Sequence, residues 1–586
     1  MTATGPPGPG ATVETVRADV AIIGTGGAGL MCALHVAEHA PAATVALVSK
    51  GIVGKSGCTR MVQGGFNAAL RAPDSVQAHF ADTLRGGQFL NDQDLAWALV
   101  CGAPAVIGEL ETRVGCFFDR DADGRIHQKA FAGQSFDRTV HRGDLTGIEI
   151  MGRLRDQMFR TGPAELEDVR ALDLLTDADG ELAGVLGLSI RDGRFVVVAA
   201  RVVVVATGGA ATMYKVAAPA REKTGDGLGL CWRAGLALRD MEMLQFHPTG
   251  LLAGDSRLTG AVLEEGLRGA GAHLLNGQGE RFMARYDSER MERSTRDVVA
   301  RASYAEIAAG RGTPRGGVWL DIASVLGAEE VRRRFPGMVD RTRTIGQDLS
   351  VGPVEVSPTA HFHMGGVIIG PDCQTAIGGL LVAGEDAGGT HGANRLGGNG
   401  VAESTVFGAR AGDTAAALLD SRQFREPDAG QVAGGVRQAL APLARESGPG
   451  PFGLTRRLKE LMWAHAGVVR TAAGLRQAAR ELEDLAGEVA TVRAAGPAQV
   501  NYAWQEALDL PNQVTVARIL VAAAQARTES RGAHARADHP AQDDQNWLRY
   551  TTAHPGPDGE PVIDTRPVQF TRLHLAAQPI HGGEQQ

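Results

Sequence analysis

Apolar and polar positions fall in blocks that predict an α/β order from the start of the chain. Ala18-Asp-Val-Ala-Ile-Ile23 is a short apolar run of strand type. Gly24-Thr-Gly-Gly-Ala-Gly29 breaks it, Leu30 to His39 takes helical spacing, and Thr44-Val-Ala-Leu-Val48 is a second strand. The most apolar segment, Phe195 to Ala206, is split only by Arg201 and runs into Thr207-Gly-Gly209. A third junction of this kind is Gly379-Leu-Leu-Val-Ala-Gly-Glu385. Strand-to-glycine junctions so far apart predict one nucleotide-binding sheet interrupted by an insertion. From about residue 450 the pattern turns helical: Leu458, Leu461 and Met462, then Leu475, Leu482, Leu485 and Val489, recur at helical spacing. Residues 1–17, rich in Pro, Gly and Thr, predict a disordered arm, and the Pro-, Asp- and His-rich residues 546–586 a tail wrapped over the surface.

Composition narrows the class. A chain of 586 residues is too long for one hydrophobic core, so two or three domains are expected. The 78 glycines exceed the usual share and cluster in runs such as 24–29 and 397–400, as suits a backbone packed against a ligand. A net charge of −8 gives no reason to expect nucleic-acid binding. No uninterrupted apolar stretch approaches the roughly 18 residues of a membrane span, and the N-terminus lacks the basic-then-apolar order of a signal peptide. A cytoplasmic chain is expected. The six cysteines, Cys32, Cys58, Cys101, Cys116, Cys231 and Cys373, include no CxxC pair, which argues against iron–sulfur or zinc ligation and predicts no metal site. Single electrons leaving such a chain require a second chain to receive them.

Gly24, Gly26 and Gly29 form GxGxxG between a strand and a helix, with Gly27 and Ala28 opening the helix. Such glycines allow a tight turn and a close approach to a pyrophosphate at a helix N-terminus, where free N–H groups and the helix dipole favour an anion. The second strand ends in Ser49-Lys50 rather than in the acid that usually binds a ribose hydroxyl. A basic end would suit a 2′-phosphate, but later motifs point to FAD.

Those motifs are Gln63-Gly-Gly65, Thr224-Gly-Asp-Gly227, Gln245-Phe-His-Pro-Thr-Gly250, Arg296-Asp-Val-Val-Ala-Arg301, His361-Phe-His-Met-Gly-Gly366, His391-Gly-Ala-Asn-Arg-Leu-Gly-Gly-Asn399 and Arg527-Thr-Glu-Ser-Arg-Gly-Ala-His534. In this order they closely resemble the succinate dehydrogenase/fumarate reductase flavoprotein family, from about residue 18 to about 550. L-Aspartate oxidase belongs to the same superfamily and shares many of them. The resemblance implies hydride exchange between FAD and a C4 dicarboxylate, electrons passing to or from an iron–sulfur partner subunit, and through it a peripheral place on the inner face of the cell membrane. It implies a Rossmann-like FAD-binding α/β domain (18–245 plus 356–425), a capping domain (246–355) that closes over the substrate, and a helical C-terminal domain (426–545).

The chemistry agrees residue by residue. A buried dicarboxylate needs cationic or hydrogen-bonding partners. Arg395 offers a bidentate fork, and His247 and His361 can donate. Singly, a His before Pro is more often a turn or core residue, and an Arg beside Gly a surface cation. Jointly, the resemblance makes these three the substrate ligands. Arg296 resembles the family's catalytic arginine, which moves a proton to or from one substrate carbon; at an ordinary pKa above about 12 it needs a desolvated site and an acidic relay, for which Glu265 is the candidate. The competing role for Arg296 is a structural ion pair. By resemblance Ser49 and Lys50 lie near the adenosine, Gln63, Gly64 and Gly65 line the flavin, Asp226 and Glu385 reach the cofactor, and Gly400 and Val401 open a helix facing the flavin's pyrimidine edge. Turn glycines and helix caps are the bland reading of the same positions.

Two departures stand out. Where the family has Thr-Glu-Gly, this chain has Glu264-Glu265-Gly266, and a Glu at the substrate would repel a dicarboxylate unless protonated or turned away. Cys58 stands where respiratory members carry the His bonded to the flavin. Noncovalent FAD is expected, with a Cys58 thioether as the alternative. Both departures keep open a second reading, a soluble L-aspartate oxidase-like or related dicarboxylate flavoenzyme without an iron–sulfur partner.

Overall fold

The computed structural model describes residues 13–573. Its central sheet follows the β-branched runs of the sequence. The strands are Val13–Ile23 (β1), Val45–Ser49 (β2), Ala164–Glu167 (β3), Val169–Thr176 (β4), Leu182–Ser189 (β5) and Phe195–Val205 (β6), in the order β3-β2-β1-β6-β5-β4. β1 lies parallel to β2 (Ile22 opposite Leu47) and to β6 (Ile22 opposite Val204). The outer edge of β6 is divided: β5 pairs antiparallel with its first half, and Leu380–Val382 lies parallel to Val203–Val205. All three strand-to-glycine junctions therefore open at one end of one sheet. β1 begins five residues before the expected strand start at Ala18, because Val13–Ala18 pairs with Phe195–Ala200; residues 1–12 lie outside the described residues.

The helix Gly27–His39 (α1) follows β1 directly. Gly24, at φ +100°, makes the junction: a Cβ there would sit 2.2 Å from the Ala206 carbonyl oxygen. Gln93–Glu109 (α2) buries Leu95, Leu99, Ala103 and Val106. With the turn that follows, Gln93–Val114 is long and apolar enough to cross a membrane, although no uninterrupted apolar run marks it; here it is a half-buried helix of the domain core.

A second, antiparallel sheet carries the insertion. Leu244–Leu251 (β7), His273–Leu275 (β8), Val318–Asp321 (β9) and Val354–His363 (β10) are ordered β7-β10-β9-β8. The helix Arg296–Glu306 (α3) packs on it, around a separate core that includes Leu263, Phe282, Val299, Leu320 and Val356. Strands β7 and β10 lead the chain out to this layer and back, so their inner ends stand beside the first sheet.

Asn399–Leu418 (α4) returns against α1, with Gly408 and Gly412 in the contact: a Cβ on Gly408 would lie 2.5 Å from the Ala28 carbonyl oxygen. The C-terminal helices Pro451–His465 (α5) and Ala472–Val489 (α6) bury the apolar faces read from the sequence, among them Leu458, Leu475, Leu482 and Leu485, and a third helix, Tyr502–Ala526 (α7), packs with them. The segment expected to be a tail is instead partly a hairpin. Arg549–Pro555 pairs with Pro561–Pro567 about the Gly556–Gly559 turn, and β-branched Thr551 and Thr552 are buried against Leu238–Arg239. Residues 574–586 lie outside the described residues.

His35 joins three of these helices. From α1 it meets Asp413 of α4 at 2.7 Å through Nδ1 and Glu109 of α2 at 3.1 Å through Nε2. Burial works against its charge, but the two carboxylates prevail and raise it from 6.5 to about 9. A raised pKa contributes stability that is complete below 6.5 and lost as the pH climbs through 9, on the order of 3 kcal/mol. His35→Gln is expected to lower the melting temperature by several degrees at pH 6 and hardly at all at pH 10. A gap independent of pH in thermal denaturation would contradict this.

Candidate active site

One long cavity runs from the β1–α1 junction, past the ends of β2 and β6, to the inner ends of β7 and β10. Two helices point their N-termini into it. α1 is capped by Gly26 and α4 by Gly398 (φ +87°), and neither glycine has a side chain to satisfy the first-turn N–H groups. One of these donors is engaged, Gly27 N–H giving a hydrogen bond to Thr59 Oγ1 at 3.1 Å. Two helix N-termini facing one cavity from separate segments fit a ligand with an anionic group toward one end and hydrogen-bond acceptors at the other, as a dinucleotide has. Gly64 and Gly400 keep the wall thin: a Cβ would meet the Phe131 ring at 2.4 Å and Arg395 Nη1 at 2.7 Å, respectively. The cradle fits FAD.

The far end holds the cationic set. Irregular pairing between β7 and β10 brings the rings of His247 and His361 within 5.3 Å, edge to face. His247 Nδ1 accepts from Thr249 N–H at 3.3 Å, which assigns the proton to Nε2. Burial first, then Arg296, lowers His247 well below its ordinary value; burial and Arg395 do the same to His361. Both rings are neutral donors at pH 7. Arg296, opening α3, holds Glu265 through Nη2 at 2.6 Å and donates to Gln245 Oε1 at 3.1 Å. Arg395 donates to the same Gln245 oxygen at 3.2 Å and stacks 4.4 Å above the Phe362 ring, and its Nε has no partner among the described residues. Burial, with Arg296 nearby, lowers Arg395 to about 9. Burial alone would raise Glu265, but Arg296 and Arg268 hold it below the usual carboxylate range.

Glu264 is 2% exposed and forms an ion pair with Lys129. Burial raises its carboxyl against the pull of Lys129, and Oε2 has no hydrogen-bond partner among the described residues. The acid is thus largely compensated from inside the protein. Glu385 is held by Lys223 and accepts from the His363 backbone N–H at 2.9 Å. Lys50 binds Thr224 at 2.7 Å and Asp226 at 2.9 Å, as well as Asp509. Cys58 Sγ accepts from Ala220 N–H at 3.4 Å, and burial raises its thiol.

The cavity gathers nearly every residue singled out in the sequence: Gly24, Gly26, Gly27 and Ala28; Ser49, Lys50 and Cys58; Gln63, Gly64 and Gly65; Asp226 and His247; Glu264, Glu265 and Arg296; His361, Glu385 and Arg395; Gly400 and Val401. Gly29 is the exception. It does not line the cavity, and a Cβ there would lie 1.9 Å from the Gly24 carbonyl oxygen, so it serves the contact of strand and helix. Sequence reasoning missed Lys129, Phe131, Lys223 and Phe362, and gave Gln245 no role. Lys129 was inferable in kind, since a buried Glu264 demands a cation, but nothing in Gln128-Lys-Ala-Phe131 marks it. Arg268, three residues after Glu265 on one helical turn, carried a visible spacing signal.

The chain is similar to known proteins along most of its length. Residues 19–401 match the family model described as an FAD binding domain, and residues 455–581 the one described as fumarate reductase flavoprotein C-term. The chain is 34% identical to the fumarate reductase flavoprotein subunit of Escherichia coli, covering 98% of this chain and 97% of that one. It is 35% identical to the succinate dehydrogenase flavoprotein subunit of Rickettsia bellii, covering 95% and 96%. Among solved structures, a chain of Escherichia coli quinol fumarate reductase superposes with a TM-score of 0.91 at 32% identity, covering 98% of this chain and 100% of that one.

The Lys129–Glu264 pair yields a double-mutant test. Lys129→Met strands a buried carboxylate and is expected to cost about 3 kcal/mol in denaturant unfolding. Adding Glu264→Gln should recover more than half of that loss. Strictly additive losses would show that the two side chains are not coupled.

Proposed function

The chain belongs to the fumarate reductase/succinate dehydrogenase flavoprotein family, and from that premise we propose that it interconverts fumarate and succinate as the flavoprotein component of a complex with an iron–sulfur partner. It is an FAD-dependent oxidoreductase. The observation that carries the substrate reading is the convergence of Arg296, Arg395, His247 and His361 on the end of the cavity that also receives the N-terminus of α4. A C4 dicarboxylate presents two negative charges; the Nε of Arg395 is a buried donor without an acceptor among the described residues, and the Thr249 contact at Nδ1 leaves His247 its Nε2–H to donate.

FAD, when bound, supplies the hydride acceptor or donor. The protein's own groups do the rest. Arg395 and His361 hold one carboxylate and His247 the other, which fixes the central carbons. Arg296 stands at the proton-transfer position. Its Nε and Nη2 both rest on Glu265, at 2.7 and 2.6 Å, so the guanidinium is oriented and a proton lost from it is replaced through that carboxyl. Gln245 keeps the two guanidinium groups in register by accepting from both. Neutral histidines suit the task, because they donate without adding charge to a site already crowded with cations.

Cys58 supports noncovalent FAD: its thiol is held protonated by burial and already accepts a backbone hydrogen bond. Without a covalent bond the flavin potential falls, which favours fumarate reduction. A second reading, oxidation of an amino dicarboxylate such as L-aspartate without an iron–sulfur partner, is favoured by one observation: the unpartnered Oε2 of Glu264 could receive a substrate ammonium. Oxygen uptake by the isolated chain with L-aspartate, and no reduced-dye-driven reduction of fumarate, would decide for that reading.

Arg296→Gln is expected to lower kcat for fumarate reduction about a thousandfold with FAD content unchanged; a loss below tenfold in steady-state assays would remove Arg296 from the chemistry. Acid precipitation should leave a colourless pellet and yellow supernatant, whereas a yellow pellet would establish a covalent flavin. Because Arg395 carries its charge only below about 9, kcat/KM for fumarate should fall above that pH, with kcat less affected.

A further inference from the structure

The segment Arg527–His534, singled out in the sequence, contributes no residue to the lining of the active-site cavity. It nevertheless reaches the supports of both arginines there. Glu529 is fully buried and pairs with Arg527 and Arg531, each at 2.8 Å, and Arg531 also donates to the Gln88 carbonyl at 3.1 Å. On this base stands a tight turn. The backbones of Arg531 and His534 exchange hydrogen bonds of 2.8 and 3.0 Å, which leaves Gly532 and Ala533 at the tip. That tip presses on the loop that carries Arg395. Ala533 N–H donates to the Ala393 carbonyl at 2.8 Å, and Gly532, at φ +55°, comes so near that a Cβ would lie 2.4 Å from the same oxygen. A residue with a side chain would be strained by that backbone angle and would push the Arg395 loop away.

The carbonyl of the same glycine meets α3. Arg301, later on the helix that Arg296 opens, donates to the Gly532 carbonyl through Nη1 at 2.6 Å. Asp297, one turn back, holds that guanidinium at 3.1 Å, and its Oδ1 is buried with no hydrogen-bond partner among the described residues. A hydrogen bond from a guanidinium is charge-assisted and stronger than one between neutral groups. A helix is stiff, so a shift at Arg301 is carried to Arg296 at its start. One glycine therefore touches the element of Arg296 through its carbonyl and the loop of Arg395 through its bare Cα. Gln245 joins the two guanidinium groups inside the cavity, and the turn at 531–534 joins their supports outside it.

We propose that Arg301 is a positioning residue: its bond to Gly532 latches the inserted layer onto the C-terminal segment and so fixes the place of Arg296 relative to Arg395. That the two arginines act on a dicarboxylate rests on the functional reading above; the latch itself does not. In the holoenzyme, Arg301→Met should lower kcat for fumarate about thirtyfold with FAD content unchanged, since a displacement of about 1 Å in a catalytic group costs on the order of a hundredfold. Arg301→Lys, which can still donate to the carbonyl, should return kcat to within about fivefold of the parent. Asp297→Asn/Arg301→Met removes the carboxylate that the single change strands, and should regain stability in denaturant unfolding without regaining turnover. Full recovery of turnover by that double variant would assign Arg301 to Asp297 alone and overturn the proposal, as would a kcat within about twofold of the parent for Arg301→Met. Hydrogen exchange followed by mass spectrometry supplies an arm independent of turnover. Loss of Arg301 should speed exchange in α3 and at Ala533 while α5, α6 and α7 keep the parent's rates. Equal exchange in parent and variant overturns the latch. A parent that turns over no dicarboxylate would instead sink the functional reading, and the exchange comparison then decides on the latch.

Discussion

Two guanidinium groups share a single amide oxygen, and the rest of the site is arranged around that. Arg296 and Arg395 both donate to Gln245 Oε1, at 3.1 and 3.2 Å. Like charges this close and this buried repel strongly, and burial has already weakened the hold of Arg395 on its proton. Glu265 offsets one of the two cations and Gln245 bridges them, but the Nε of Arg395 is left unsatisfied. The site therefore carries a surplus of donors and positive charge that a dianion would relieve. Affinity for a dicarboxylate and the pairing of these arginines are two aspects of one electrostatic constraint.

Holding that arrangement takes rigid scaffolding from distant parts of the chain. Gln245 and His247 come from β7, His361 from β10, Arg296 from the start of α3, and Arg395 from the loop before α4. Gln245, His361 and Arg296 sit at or near the end of a regular element and His247 within one, where backbone hydrogen bonds restrict them and the side chains still reach the cavity. The glycines do the opposite work. At positions 64, 398 and 400 they remove side-chain bulk where Phe131, Asn67 and Arg395 must come close.

Charge pairing explains how acids are tolerated beside a site for an anion. Lys129 neutralises Glu264, Lys223 holds Glu385, and Lys50 lies against Asp226. Several groups that looked like ligands from sequence thus also serve the protein's own electrostatics.

The sequence by itself determined the class of fold and marked most of the residues that line the inner cavity. Apolar β-branched runs ending in glycine can only be buried strands leading to tight turns, and the motifs around His247, Arg296, His361 and Arg395 are contiguous, so each is legible without knowing its neighbours. The hairpin at 549–567 was missed because its Pro- and Asp-containing ends mask a β-branched centre that is buried only after Leu238–Arg239 arrives beside it. Gly29 was misjudged because its spacing is the same whether it faces a ligand or a strand. Only the tertiary structure could decide that Lys129 answers Glu264, 135 residues away, and that Gln245 joins the two arginines. Compensation of buried charge is a property of distance in space, and an isolated residue in an unremarkable stretch of sequence carries no mark of the partner that folding will bring to it.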